Sequence, residues 1–350
     1  MKFVLCFLTF CLVSPLFGTA KTLPRGLWSF SAYQEDSTVQ KIGVNPSNDE
    51  QSWITKDLND AALNDLPNFQ ALAPIPGIDL NTKLAEYWDV NRFHFDLAYG
   101  LTDRLTEFAN VIYDSSRIRF TDGFISQMAI ANQATGGRIP LSPRYMKAYH
   151  LSDTFVGLKY RVADPLAFTV RGTFGPLKTG RDDYASRELD YVKEIPTGTV
   201  YDQYEFYTNY DETFFGLPFR FMYGYIHKNQ GYQNFFDNRD ITMNMGDLHL
   251  LGVGVDYKLS KKWDTRLDLT YIHSNSDQVR ENNVWRTLPA SEADAIIGKV
   301  GATYSPYPFL QIFTDAFIPL QNDLNGKLYD SPGRLQPGWN VQYGVRLFYM

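Results

Sequence analysis

The sequence predicts an all-β protein: a transmembrane, antiparallel, up-and-down β-barrel of about twelve strands, with short turns at one end and long loops at the other. Three observations predict it. Apolar and polar residues alternate with period two in segment after segment. The connections between those segments alternate short and long. Tyrosine recurs on the apolar side at one end of every second segment.

Composition closes off other classes. Aromatic residues are 15% of the 350-residue chain and charged residues only 21%, which is too much apolar surface for a disordered chain. Beyond the first twenty residues no run of 18 apolar residues occurs, so a helical membrane protein is excluded as well. A net charge of −6 does not suit a nucleic-acid partner. Both cysteines, Cys6 and Cys11, lie at the extreme N-terminus, so the body of the chain has neither a disulfide framework nor a thiolate metal site.

Residues 1–20 read as a secretory signal peptide. Lys2 gives the positive start, Phe3 to Phe17 the apolar stretch, and Gly18-Thr19-Ala20 the small residues of a cleavage site before Lys21. Cys11 lacks the preceding small residues of a lipoprotein site. Residues 21–350 then form the exported barrel, expected in the outer membrane of a Gram-negative-type bacterium.

Twelve strands are expected near 26–34, 91–101, 105–114, 152–162, 166–175, 201–212, 218–228, 247–259, 263–273, 294–304, 309–319 and 338–349. Leu251, Val253, Val255, Tyr257 and Leu259 share one face against Gly252, Gly254, Asp256 and Lys258, and Leu267, Leu269 and Tyr271 oppose Arg266, Asp268 and Thr270. Most segments have the length a tilted strand needs to cross a bilayer. Short turns fall at Leu101–Arg104, Ala163–Pro165, Thr213–Leu217, Ser260–Lys262 and Ser305–Pro308; long loops fall at 35–90, 115–151, 176–200, 229–246, 274–293 and 320–337. A soluble sandwich also alternates along its strands, but it has no reason to sort its loops by length onto opposite ends.

With both termini periplasmic, the even-numbered strands end at the inner interface, and their last outward residues are Tyr99, Tyr160, Tyr210, Tyr257, Tyr304 and Tyr349. All six lie on the apolar parity of their strands, as an interfacial girdle requires. The chain ends Leu347-Phe348-Tyr349-Met350, an alternating last strand with a penultimate aromatic of the kind the barrel assembly machinery reads. Outer-membrane lipid and lipopolysaccharide are the expected surroundings.

The stretch Tyr99-Gly100-Leu101-Thr102-Asp103-Arg104-Leu105 resembles the strand–turn–strand signature of the outer-membrane proteins grouped as the MetA-pathway phenol-degradation family. So do Asp153 to Val162, Phe174 to Gly180 and Gly252 to Trp263, and the resemblance spans roughly residues 24 to 349. It implies a barrel that carries hydrophobic or aromatic compounds across the outer membrane. The segment 35–90 departs from the family pattern.

Parity places Arg92, His94, Asp96, Lys159, Arg161, Arg171, Glu205, Asp211, Arg220, Lys228, Asp256, Lys258, Arg266, Asp268, Lys299, Asp315 and Arg346 in the lumen. Charges face lipid only at a cost of about 2–4 kcal/mol for Arg or Lys at mid-membrane. These residues read first as a ladder of ion pairs that stiffens the wall, and second as the lining of a selective pore. Twelve strands fall between side-chain-filled barrels and open porins, so a narrow or gated passage is expected. Inward Met222, Ile226, Ile297, Phe313 and Phe317 make it partly apolar, which suits a small hydrophobic solute better than sugars or ions. Residues 35–90 carry more apolar side chains than an exposed loop needs, with a short helix expected at Leu58–Leu66, and are expected to fold over or into the external mouth.

Two other functions compete. Some twelve-stranded barrels are phospholipases, and Tyr271-Ile272-His273-Ser274-Asn275 comes near their motif. Adjacent His and Ser on a strand point to opposite faces, out of the hydrogen-bond reach a base needs. A structural or adhesive barrel that moves nothing is the other. The five histidines show no metal-ligand spacing, Asp323-Leu324-Asn325-Gly326 lacks the distal Glu of a calcium loop, and no phosphate-binding glycine motif occurs. No cofactor is expected.

Overall fold

The computed structural model describes residues 19–42, 74–79, 82, 85–115, 117–138, 141–142, 144–147, 150–173, 202–229, 231–235, 239–244, 246–276, 278–281, 284–287, 292–322 and 335–350. Twelve of its strands form one barrel: β1 (Trp28–Ile42), β2 (Ala85–Thr102), β3 (Leu105–Asp114), β4 (His150–Ala163), β5 (Leu166–Thr173), β6 (Gln203–Phe214), β7 (Leu217–Lys228), β8 (Leu248–Lys258), β9 (Trp263–Ser274), β10 (Ala293–Tyr307), β11 (Leu310–Asn322) and β12 (Leu335–Tyr349). Every strand pairs antiparallel with its sequence neighbour. β1 pairs with both β2 and β12, so the sheet closes and no edge is left.

The barrel is inside-out relative to a soluble protein. On β9, Leu267 is 57% exposed and Leu269 45%, while the charged residues between and beside them, Arg266 and Asp268, are 8% and 6% exposed. The same inversion holds at Phe168 and Val170 beside buried Thr169, and at Phe221 and Tyr223 beside buried Arg220 and Met222. An apolar exterior around a polar interior is the arrangement that lipid, not water, stabilises. No helix among the described residues is long and apolar enough to cross a membrane; the crossing elements here are strands.

All twelve expected strands are present, with short turns joining β2–β3, β4–β5, β6–β7, β8–β9 and β10–β11 at one end. Four of them leave two residues between the strands; in one, Phe215-Gly216, φ is 53° and 78°, the pair of positive values that suits a hairpin matched to the strand twist.

The wall is taller than its apolar pattern. Residues 35–42 and 85–90, expected in a long loop, belong to β1 and β2, whose register runs to Thr38↔Asp89. Above the lipid a strand no longer needs one apolar face, so the period-two signal fades while the backbone ladder continues. The same cause hid elements in three other expected loops. In 115–151, strands Arg117–Phe120 and Tyr145–Lys147 extend the sheet from β2 and flank a helix, Asp122–Ala134. Phe124 N–H donates to the helix's N-cap Thr121 (3.0 Å), and Phe124, Met128 and Ala131 are buried. Asp79 N–H in turn donates to Gln127 (2.8 Å), tying residues 74–79 to that helix. Loops 229–246 and 274–293 pair into a separate four-stranded sheet, Gly231–Phe235, Arg239–Asn244, Gln278–Glu281 and Val284–Thr287. The helix expected at Leu58–Leu66 lies outside the described residues, as does most of the 35–90 segment.

Candidate functional site: the lumen

The middle of the lumen is lined by ion pairs between neighbouring strands. Arg171 on β5 holds Glu205 on β6 with two hydrogen bonds, of 2.6 and 2.8 Å, the planar fork that makes arginine–carboxylate pairs strong. Glu205 is fully buried and also accepts from Gln203 (2.6 Å) and Tyr207. Arg220 on β7 reaches Asp268 on β9 (2.7 Å) and Asp256 on β8 (3.1 Å), and Arg266 meets the same Asp256 at 3.3 Å. Lys299 on β10 lies 2.9 Å from Asp315 on β11. Glycine makes the room: a Cβ at Gly254 would stand 1.8 Å from Asp268 Oδ1.

A second set closes the seam where β1 joins the rest. Glu35 is buried and accepts from Asn340 (2.8 Å) and Gln342 (3.1 Å) on β12, with His94 Nε2 of β2 at 3.0 Å. Tyr33 stacks on His94, ring centroids 4.5 Å apart. Asn110 donates to Asp96, and Arg346 donates to Ser31 (3.0 Å). Three cations also rest on inward rings: Arg171 over Phe155 (4.4 Å), Lys299 over Phe317 (4.9 Å) and Arg346 over Phe313 (5.3 Å). Between these groups Tyr33, Asp96, Arg266, Phe313, Asp315 and Arg346 enclose a cavity of about 10 Å³, which holds about one water.

Towards the long-loop end the lumen changes character. Tyr207, Met222, Ile226, Leu248, Leu250, Ile272 and Ala295, from β6 to β10, form a buried apolar cluster with Ile297 packed against it. On the outer face alongside runs an apolar groove whose lining includes Phe221, Leu251, Val253 and Leu269, together with Met222 and Gly252 from the inward parity.

At the opposite end the chain stops its own mouth. Residues 19–27 precede β1 and lie inside the ring of short turns. Thr19, Ala20, Thr22, Leu23 and Leu27 are buried, Leu23 and Leu27 packing with Ala98, Phe108 and Phe348. Leu23 N–H donates to Thr106 Oγ1 (2.8 Å), Thr22 Oγ1 to the Asp103 carbonyl (2.8 Å), and Gly26 N–H to the Gly100 carbonyl (2.8 Å). A Cβ at Gly100 would lie 2.0 Å from the Pro24 carbonyl oxygen, so only glycine admits this segment.

Of the residues that parity assigned to the interior, His94, Lys159, Glu205, Arg220, Lys228, Arg266, Asp268, Lys299, Asp315 and Arg346 are buried. Arg92, Asp96, Arg161, Arg171, Asp211 and Asp256 are partly buried. Lys258 is exposed at the end of β8, and Arg161, bound to the Asp103 carbonyl (2.9 Å), stands near a short turn rather than in the ion-pair belt. Glu35, Tyr33, Gln203, Tyr207 and Asn110 escaped the sequence reading. Glu35 continues the inward parity of Ser29, Ser31 and Tyr33, a signal available had β1 not been ended at residue 34.

The six tyrosines sit on the outer face at the short-turn end, Tyr160, Tyr210, Tyr257 and Tyr349 exposed and Tyr99 and Tyr304 partly buried. Trp28 packs on Tyr99 (centroids 4.4 Å) and Trp263 on Tyr304 (4.8 Å). An opposing outward rim lies at the long-loop end. There Tyr223 Oη is 3.1 Å from His249 Nδ1, Tyr225 donates to Asp247 (2.8 Å), and His273 Nδ1 lies 2.9 Å from Asp294. Along β8 the two rims are eight residues apart, from Tyr257 to His249, or roughly 20 Å of height for a tilted strand. His273 takes no part with Ser274, which is buried on the inward side and donates to the Asn275 carbonyl (3.1 Å).

No family model matches the chain, and no curated protein sequence does. Solved structures do. An outer membrane channel from Pseudomonas putida F1 superposes with a TM-score of 0.60 at 12% identity, covering 96% of this chain and all of that one. The translocator domain of an autotransporter from Neisseria meningitidis (TM-score 0.42, 8% identity, 93% and 89% covered) and the CymD monoaromatic hydrocarbon channel (TM-score 0.39, 8% identity, 93% and 89% covered) are more distant barrels. The chain thus has the fold of a closed twelve-stranded outer-membrane barrel.

Proposed function

We propose that the protein is an outer-membrane channel for small hydrophobic or aromatic compounds, exported by a leader that is removed after Ala20. The observation that carries this is the apolar cluster inside the long-loop half of the lumen. A barrel wall needs its apolar residues on the lipid side; an inward set of Met222, Ile226, Leu248, Leu250 and Ile272 serves a solute, not the wall. The ion-pair belt below it fills the lumen with paired side chains around a cavity of about 10 Å³, which opposes free flow of sugars or ions. The protein of the same fold in Pseudomonas putida F1 is described as an outer membrane channel, and the likeness to the phenol-degradation family points to the same class of cargo. The two outward aromatic rims fit a bilayer of outer-membrane thickness, with lipopolysaccharide at the His249 level and the assembly machinery reading β12. Catalysis has no support in the geometry, since His273 and Ser274 face opposite ways.

The test is photo-crosslinking. The purified protein, in vesicles containing lipopolysaccharide, is irradiated with a small apolar aromatic diazirine, and the adducts are mapped by mass spectrometry. Adducts at Met222, Leu250 or Ile272, competed by an unlabelled aromatic, are expected. Adducts confined to outward residues such as Leu251 and Leu269 would mark the protein as a barrel that carries nothing.

A further inference from the structure

Among the described residues, Asp211, at the short-turn end of β6, is the lumen carboxylate whose contacts run to the segment that leader removal takes away. Its Oδ2 accepts from Thr19 Oγ1 (2.5 Å) and from the Ala20 amide (2.9 Å). Its Oδ1 is buried and has no hydrogen-bond partner among the described residues. The Lys21 amide donates to Thr19 Oγ1 (3.0 Å), one relay away from the same carboxylate. Lys159, buried on β4, spends its ammonium on the Thr19 carbonyl.

Hydrolysis of the Ala20–Lys21 bond changes every one of these contacts. Water is consumed, Ala20 leaves as a carboxylate, and the Lys21 amide nitrogen becomes an amine, which is protonated at neutral pH because its ordinary pKa is about 8. Thr19 and Ala20 depart, and Asp211 loses both donors. A buried carboxylate left so is costly. The new ammonium, with three N–H groups where the amide had one, stands beside it on a segment already fixed by Thr22, Leu23 and Gly26.

The geometry points to Asp211 as the socket for the α-ammonium that leader cleavage creates at Lys21, an ion pair that seats residues 21–27 as a stopper in the periplasmic mouth. This rests on the leader reading above. Export therefore reinforces the stopper: before cleavage residues 19 and 20 give Asp211 neutral donors, and the mature chain gives it a charge. Lys159, released from Thr19, faces the same end of the lumen and is a rival cation for the socket; Arg220, opposite Asp211 on β7, is already held by Asp256 and Asp268.

Protein purified from outer membranes is first weighed intact. A mature chain that does not begin at Lys21 overturns both the leader reading and the socket. With that start established, the folded protein is treated near neutral pH with an aldehyde reagent specific for α-amines, and its labelling rate is compared with that of the same protein unfolded in urea. The socket predicts labelling of the folded wild type at least tenfold slower than unfolded. It predicts that Asp211→Asn, inserted and heat-modifiable, recovers most of that rate, whereas Lys159→Gln stays slow. Rapid labelling of the folded wild type, or equal rates for wild type and Asp211→Asn, overturns the socket while leaving the leader intact. Labelling that speeds up only in Lys159→Gln overturns it too, since a rival cation would relinquish the carboxylate to the amine and slow the reaction. Should Asp211→Asn fail to insert, Leu23→Asn withdraws the apolar anchor instead; a labelling rate unchanged from wild type then overturns the stopper.

Discussion

Leu269 and Asp268 are neighbours on β9, and the whole inside-out logic can be tested on them. Leu269 faces lipid and Asp268 is buried against Arg220. Leu269→Arg should cost about 2–4 kcal/mol in folding into lipid vesicles. Asp268→Asn should cost less, because Arg220 keeps Asp256. Equal losses in urea titrations would contradict the assigned faces. Deeper in the belt, Arg171→Met leaves buried Glu205 without its counter-charge and should cost about 3–5 kcal/mol, while the double change Arg171→Met with Glu205→Met should recover much of it. A double variant as unstable as the single one would mean the pair is not the unit. At this scale charged residues were legible from sequence because lipid allows them only one face. The neutral partners were not: Asn110 looks like any strand residue until the register that sets it opposite Asp96 is known, and cross-strand register is not written in one strand.

At the scale of elements, the strands that lie in lipid were legible and the structure above it was not. β9 appears within a residue of its expected span because both of its ends coincide with the loss of apolar alternation. β1 and β2 run on past theirs because backbone pairing needs no apolar face outside the bilayer. Helix Asp122–Ala134 has an N-cap threonine and three buried apolar residues, yet it lies between short polar strands with no strong periodic pattern. The N-terminal stopper had a sequence trace only in Gly100, whose lack of a side chain read as turn chemistry. Gly100→Val should displace Pro24 and loosen the segment. Trypsin cleavage after Arg25, followed by mass spectrometry on folded protein, should become severalfold faster than in wild type. An unchanged rate would show that the strand yields instead of the stopper.

The barrel is divided along its axis: an apolar cluster inside the long-loop end, a belt of ion pairs at mid-height and a stopper at the short-turn end. That division predicts poor ion conduction. In planar bilayers the wild type should show conductance far below that of an open porin, and substituting the belt pair Lys299 and Asp315 together by alanine should raise it; a wild type that conducts like a porin would contradict the closed belt. The fold was legible because strand length, loop sorting and aromatic placement all answer to the same bilayer. The division of the lumen was not, because it depends on which inward residues of neighbouring strands share a level. Whether the inward apolar cluster serves hydrophobic solutes is answered by uptake. A Gram-negative host with an intact outer membrane, expressing the wild type or an Ile272→Asp variant at equal surface levels, is given a radiolabelled small aromatic hydrocarbon and, in parallel, a labelled disaccharide. The hydrocarbon should enter faster with the wild type than with empty vector, lose that gain with Ile272→Asp, and the disaccharide should not change; hydrocarbon entry that is the same with and without the protein would contradict a hydrophobic pathway.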